Sequence, residues 1–409
     1  MKRWILRFGL LLLVLVASLS LWTPASSAFT DEQKLLSEVW RIVDRAYVDS
    51  TFNHQNWWMV RQKALQQRLD TRDDAYSAIQ KMLASLDDPY TRLLKPDQYR
   101  SLQTNTSGEL NGIGLQITQE LETGDLRVIA PIEGSPADRA GIQPNDRILK
   151  INGVPAKNLT LDEAAERMRG PVGTIVELTL GRDEGSPEDV QLVRDRITLN
   201  PVVAELRNEK DLKIGYIRLS QFNANAASEV AHAVGKLDQQ GAVSYILDLR
   251  NNPGGLLQAG IDIARLWLDD ATVVYTVNRD GIQDSFFAHG QALTDKPLVV
   301  LVNQGTASAS EILAGALQDN HRAQLVGDRT FGKGLIQSLF SLSDGSGLAV
   351  TIARYETPDH HDINRQGIMP DVVIEADPLN RNQLGTDVDP QFQAAVECLT
   401  KQVTVAQAS

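Results

Sequence analysis

Residues 296–317 read KPLVVLVNQGTASASEILAGAL. The aliphatic run Leu298–Val302 is strand-like. A Gly-Thr-Ala turn follows, and from Ser308 the apolar spacing becomes helical. Ser308 and Glu311 have the S-x-x-E form of a capping box, in which hydroxyl and carboxylate satisfy free amides of a helix's first turn. That is the plain reading of Ser308. The second reading makes it a nucleophile, because free amides and the helix dipole favour a developing anion at that place. The strand–turn–helix order recurs through residues 197–380. "KIGYIRLSQF", "VSYILDLR" and "ATVVYTV" are further β-rich runs. Helix-like segments fall near 226–238, 256–268 and 308–319. The alternation predicts an α/β sheet with helical cover.

A serine nucleophile needs a base. His321 stands well beyond Ser308, at an expected helix end, and no G-x-S-x-G motif is present. Lys333 in "RTFGKGLIQSLF" is the better candidate. Its flanking glycines allow close backbone packing, and Gln337 follows four residues later. If "KGLIQSL" is extended, Lys333, Leu335 and Gln337 share one face, and Gln337 can hold the amine. For Lys333 to act as a base near neutrality, its pKa of about 10.4 must fall by about three, which takes roughly 4 kcal/mol and is within reach of burial. The alternative is a surface lysine on a Gly-rich turn. In "LDLRNNPGGLL" (247–257), Gly254 and Gly255 make a turn with unobstructed amides, either a plain turn or an oxyanion-hole donor.

The chain has 409 residues, 42% hydrophobic and 22% charged, as in ordinary globular proteins of two to four domains. Its net charge of −12 argues against nucleic acid as a partner. A single cysteine, Cys398, excludes an internal disulfide and a cysteine-based metal cluster, and the six histidines show no ligand spacing. Neither a metal nor a cofactor is expected. Lys2, Arg3 and Arg7 precede an uncharged stretch from Phe8 to Thr30, and "TPASSAF" places Ser26 and Ala28 before Phe29. This is the three-part form of a secretory signal peptide, residues 1–28. An uncleaved anchor is the alternative. Either way the chain works outside the cytoplasm.

Residues 29–100 predict a helical region, with a capping box at Thr30–Gln33 and Trp57 and Trp58 in its core. Residues 101–196 change character. "NGIGLQI" and "DLRVIA" read as strands, "SPADRAG" as a short helix, "DRILKING" as a strand into an Asn152-Gly153 turn, and "TLDEAAERMRG" as a helix capped by Thr160. This order, and "GSPADRAGIQPNDRILKINGV" above all, resembles a circularly permuted PDZ domain. The resemblance implies that Gly112, Ile113, Gly114 and Leu115 form the loop that receives a peptide's terminal carboxylate. Convergent amides suit an anion there, and the peptide can add as a strand. Arg169 is a candidate tail-sensing contact, with a solvated helix-end arginine as the alternative.

"GYIRLSQF", "DLRNNPGGLL", "NQGTASASEILAGAL", "GDRTFGKGLIQ" and "LDDPYTRLL" together resemble the carboxy-terminal processing peptidases, or tail-specific proteases, in their cyanobacterial and chloroplast branch. The resemblance implies an α/β (mixed) Ser-Lys protease core at 197–380, an inserted PDZ domain, the N-terminal helical region and a C-terminal segment, 381–409. It implies Ser308 as nucleophile, with Ser310 as the rival within the motif. Lys333 is the implied base and Gln337 its companion, with the amides of Gly254 and Ala309 as the oxyanion hole. It implies as substrates the C-terminal tails of membrane or lumenal proteins, such as the precursor of a photosystem II reaction-centre subunit, in the periplasm or thylakoid lumen, close to a membrane. His360 and His361 depart from the Gly or Ser common in relatives. The competing readings are an inactive peptide-binding scaffold, a quality-control protease with other clients, a Ser-His-Asp protease and a crotonase-like acyl enzyme.

Overall fold

Every residue of the two strands Ser244–Asp248 and Leu298–Val302 is buried. Such strands need cover on both faces, and they form the centre of a six-stranded sheet. The computed structural model describes residues 29–120, 123–182, 186–281, 283–290, 292–377, 379–380 and 383–408. The signal-peptide expectation for residues 1–28 lies outside them. Among the described residues no helix is long and apolar enough to cross a membrane.

The chain divides into two compact units. The first holds the residues up to Pro96 together with Ser338–Val350. It contains α1 (Asp31–Ala46), α2 (Trp57–Leu65), α3 (Arg72–Ala84) and β1 (Arg92–Leu94). Thr30 and Gln33 form the expected capping box of α1. Leu35, Leu36, Val39 and Val43 of α1 are buried, as are Ile79, Met82 and Leu83 of α3. Trp57 is buried and stacks on Phe52 at 5.3 Å between centroids. Trp58 departs from expectation: it is 55% exposed. Adjacent helix positions point about 100° apart, so only one of the pair can face the core.

The second unit holds Asp97–Gln337 and Thr351–Ser409. It opens with α4 (Pro96–Ser107), which runs across the expected boundary at residue 100. β2 (Glu109–Gly112) then pairs antiparallel with β9 (Asp195–Thr198), and this ribbon is the neck of the PDZ-like insertion. Between the two lie β3 (Leu115–Gln119), β4 (Leu126–Pro131), α5 (Pro136–Arg139), β5 (Arg147–Ile151), β6 (Val154–Pro155), α6 (Leu161–Met168), β7 (Ile175–Gly181) and β8 (Glu188–Val193). Their sheet runs β3-β4-β5-β7-β8, with β6 on β5. Asn152 and Gly153 turn at φ 50° and 75°, as an Asn-Gly hairpin requires. Thr160 and Glu163 cap α6 reciprocally.

The remaining chain supplies β10 (Val202–Glu209), β11 (Leu212–Leu219), α7 (Ala226–Gln239), β12 (Ser244–Asp248), α8 (Leu257–Arg265), β13 (Ala271–Asn278), β14 (Gln283–Ala288), β15 (Leu298–Val302), α9 (Ala309–Asp319), β16 (Gln324–Gly327), β17 (Leu335–Ser341), β18 (Gly347–Glu356), β19 (Val372–Val373) and α10 (Pro390–Ala408). The main sheet runs β10-β11-β12-β15-β16-β19, parallel from β11 onward. Side chains alternate across it. Leu219, Leu247, Val300 and Leu325 pack with α7, α8 and α9. Ile214, Ile246, Val299, Leu301 and Val326 pack with Phe392, Ala395, Val396 and Leu399 of α10. The C-terminal segment, which shows no pattern in the sequence, thus covers the central strands on one face of the sheet.

Candidate active site

Three adjacent parallel strands deliver the expected residues from their carboxyl ends, where ligand sites of open α/β sheets collect. β12 leads to Gly254, β15 to Ser308 and β16 to Lys333.

Ser308 is the N-cap of α9 at φ 57° and ψ −118°. A non-glycine residue there carries roughly 1–3 kcal/mol of strain and persists only when its surroundings fix it. A sharp strand-to-helix turn exposes the nucleophilic serine hydroxyl in the α/β-hydrolase fold. Glu311 does part of the fixing, because its Oε2 accepts the Ser308 N–H at 2.8 Å. This is the carboxylate half of the expected capping box. The buried Glu311 carboxylate also accepts the Lys333 N–H at 2.9 Å, the Gly332 N–H at 2.7 Å and the Thr330 hydroxyl at 2.6 Å. Glu311 therefore fastens the backbone of Ser308 to the backbone of Lys333. The S-x-x-E signal marked this residue, but only as a cap.

The glycines beside Lys333 serve close packing. A Cβ at Gly332 would lie 2.8 Å from the Gly367 nitrogen, and one at Gly334 would lie 2.8 Å from the Asn364 nitrogen. The chain at 330–334 is thus pressed against the loop that follows β18. Lys333 is partly exposed and stands before β17, which begins at Leu335. The expected one-sided alternation of Lys333, Leu335 and Gln337 therefore starts only at Leu335, because the Glu311 and Gly367 contacts hold Lys333 in the loop. Gln337 Nε2 lies 3.5 Å from Thr351 Oγ1. Tyr355 of β18 reaches the same place: its hydroxyl is 2.7 Å from the Lys333 carbonyl and 3.2 Å from the Ser308 carbonyl.

Ser310, the rival serine, is fully buried and donates to the Asn252 carbonyl at 3.0 Å. His321 follows the eleven residues of α9, which span about 16 Å. Gly254 lies against Ser308. At φ 93°, a Cβ there would fall 2.6 Å from the Ala307 oxygen and 2.9 Å from the Ala309 nitrogen. Its amide is not free as expected, because the Gly254 N–H donates to Asn252 Oδ1 at 2.9 Å. An Asn side chain folds back on the chain two residues on in this way. No described residue accepts the Ala309 N–H. Phe222 holds the turn from its other side: its N–H donates to the Gly254 carbonyl at 3.1 Å, and its carbonyl accepts from Leu256 at 2.7 Å.

Beneath the turn lies a buried ionic cluster that sequence reading missed. Arg250 bonds Asp248 at 2.6 Å and Asp389 at 2.7 Å, and the Tyr216 hydroxyl donates to Asp248 at 2.7 Å. Burial opposes the Arg250 charge, yet Asp248 and Asp389 push its pKa above its already high ordinary value. Burial alone would raise the Asp389 carboxyl. The Arg250 bonds and the Gly385 and Phe392 amides outweigh it and hold Asp389 below the usual carboxylate range.

At the PDZ-like end, Gly112 closes β2 and Leu115 opens β3. Ile113 is buried, and its carbonyl accepts from Ala137. Gly114 turns at φ 77°. Arg169 is beside this loop, since a Cβ on Gly112 would lie 3.6 Å from the Arg169 Cα. Its guanidinium bonds Glu166 at 3.0 Å. Among the described residues β3 pairs with β4 alone, at the edge of its sheet.

Residues 213–374 match Peptidase family S41, and residues 127–182 match a PDZ domain. A carboxyl-terminal-processing protease of Synechocystis sp. is 58% identical over 408 residues, 99% of this chain and 95% of that protein. One of Picosynechococcus sp. is 60% identical over 383 residues, 93% of this chain and 92% of that protein. A solved structure described as a photosystem II D1 C-terminal processing protease is 41% identical with a TM-score of 0.57, covering 89% of this chain and all of that one. The chain belongs to peptidase family S41 and is a serine peptidase of the carboxyl-terminal-processing group.

Proposed function

We propose that Ser308 is the nucleophile of this peptidase and Lys333 its general base. The carrying observation is the strained Ser308 backbone between β15 and α9, tied through Glu311 to the chain of Lys333. In this reading the neutral Lys333 amine takes the Ser308 proton as the hydroxyl attacks a peptide carbonyl. The same amine then protonates the leaving nitrogen, and water releases the acyl group by the reverse route. Gln337 positions the amine. The Ala309 N–H supports the oxyanion. Gly254 joins it once its N–H leaves Asn252 or is shared with the substrate.

The substrate in this proposal is a protein C-terminal tail. The edge strand β3 accepts it as an added strand, the Gly112-Ile113-Gly114-Leu115 loop takes its carboxylate, and Arg169 reads its charge. By analogy with its relatives, the chain works after export, in the periplasm or thylakoid lumen. Its client is the membrane-bound precursor of a photosystem II reaction-centre subunit. The test incubates the purified chain with that precursor's C-terminal peptide and with unrelated tails, and identifies the products by mass. A single cut in the precursor tail alone supports the assignment. Equal cutting of all tails assigns a quality-control role, and no cutting of any tail favours the peptide-binding scaffold.

A further inference from the structure

We infer that Tyr355 is a positioning residue for the Ser308–Lys333 pair, acting through a hydroxyl shared by the two backbone carbonyls. The inference rests on the dyad reading above and extends it to a residue outside the dyad's own loops.

Tyr355 is fully buried near the end of β18. Its backbone N–H donates to the Gly334 carbonyl at 3.0 Å, so the residue is moored to the loop of Lys333 by its main chain. Its hydroxyl then reaches the Lys333 carbonyl at 2.7 Å and the Ser308 carbonyl at 3.2 Å. The shorter bond takes the larger share of the single hydroxyl proton.

Glu311 and Tyr355 hold the same two residues from both sides, one bonding the peptide unit before each residue and the other the peptide unit after it. The Glu311 carboxylate gathers the N–H groups of Ser308 and Lys333, and the Tyr355 hydroxyl gathers their carbonyls. With both flanking peptide units held, neither residue can rotate about its backbone without breaking one of these bonds. This bears most on Ser308, whose backbone is strained and would relax if released. A small displacement of either partner separates the reacting atoms, and misplacement by about 1 Å can cost about a hundredfold in rate. Tyr355 touches neither substrate nor the reacting hydroxyl in this account, so it acts on kcat and leaves KM unchanged.

The experiment compares Tyr355→Phe with the wild type on a quenched-fluorescent peptide with a free apolar C-terminus. The expected result is a fall in kcat of about ten- to a hundredfold, with KM and the thermal midpoint nearly unchanged. A serine-directed fluorophosphonate should still titrate a full complement of sites, each reacting more slowly. Wild-type kcat overturns the inference. So does a reduced number of titratable sites that react at the wild-type rate, because that reports lost fold and not lost positioning. If the Phe variant does not fold, 3-fluorotyrosine at 355 keeps the shape and alters only the strength of the hydroxyl donor. A shift in kcat at constant KM then supports the inference, and an unchanged kcat overturns it. Ser308→Ala and Lys333→Ala run beside these variants. Activity in either one removes the dyad reading itself, whereas inactivity in both with a normal Tyr355→Phe removes only the role of Tyr355.

Discussion

Arg250 and Asp389 meet as a buried ion pair at 2.7 Å, although 139 positions separate them in the chain. Arg250 sits just before the Asn251–Gly255 turn. Asp389 caps the start of α10, its Oδ1 accepting the Phe392 N–H at 3.1 Å. The pair anchors the C-terminal helix beneath the turn that faces Ser308. Removing one partner leaves the other buried and uncompensated, which costs about 3–5 kcal/mol. Asp389→Ala should therefore lower the urea midpoint substantially and reduce activity even at temperatures where it stays folded. A variant with wild-type stability would remove the anchoring role.

The same pair sets a direction in acid. The Asp389 carboxyl is held below its ordinary value in the folded chain, so the folded state binds this proton less readily than the unfolded state. Its contribution to stability is complete above the unfolded carboxylate pKa of about 3.9 and is lost as pH falls through the lower folded value. Unfolding midpoints measured from pH 6 down to about pH 3 should fall more steeply for the wild type than for Asp389→Asn, which lacks the titrating group. Parallel curves would show that Asp389 does not contribute to the acid limb.

Gly254 should tolerate no side chain. A Cβ at φ 93° would stand 2.6 Å from the Ala307 oxygen, a backbone atom in the turn before Ser308. Gly254→Ala must push that turn away, and the expected outcome is a loss of kcat/KM of about a hundredfold or more. Steady-state kinetics on the folded variant check this. Activity within a few-fold of wild type would mean that the turn does not take part.

Tail recognition predicts a dependence on the terminal charge. A carboxylate on convergent amides is held by charge-assisted hydrogen bonds, and amidation removes that charge. Matched peptides, acid and amide, should differ in KM or in the fraction of active enzyme, and Arg169→Ala should narrow the difference. Equal processing of the two peptides by the wild type would leave the domain without this function.

Local patterns carried much of this architecture in the sequence. Thr30 and Thr160 cap the helices their positions announced, and Asn152-Gly153 turns as its composition requires. The aliphatic runs at 244–248 and 298–302 became central strands. What escaped were relations between distant residues. Nothing local marks Tyr355 as a partner of Lys333, Asp389 as a partner of Arg250, or Phe222 as the support of the Gly254 turn. Helix α10 escaped too, because its apolar positions gain meaning only against the sheet face it covers. The Gly254 amide departs from expectation for a related reason: the Asn252 side chain that occupies it stands only two residues away, yet it is oriented by the Leu219 carbonyl at 2.8 Å.

The dyad is tested most directly by covalent labelling. A serine-directed fluorophosphonate should modify the wild type at Ser308 alone, as read by mass spectrometry of the digested protein. Lys333→Ala should abolish that labelling while the chain keeps its fold, because the hydroxyl then has no base. Modification at Ser310, or labelling of Ser308 that proceeds at the wild-type rate without Lys333, would contradict the assignment.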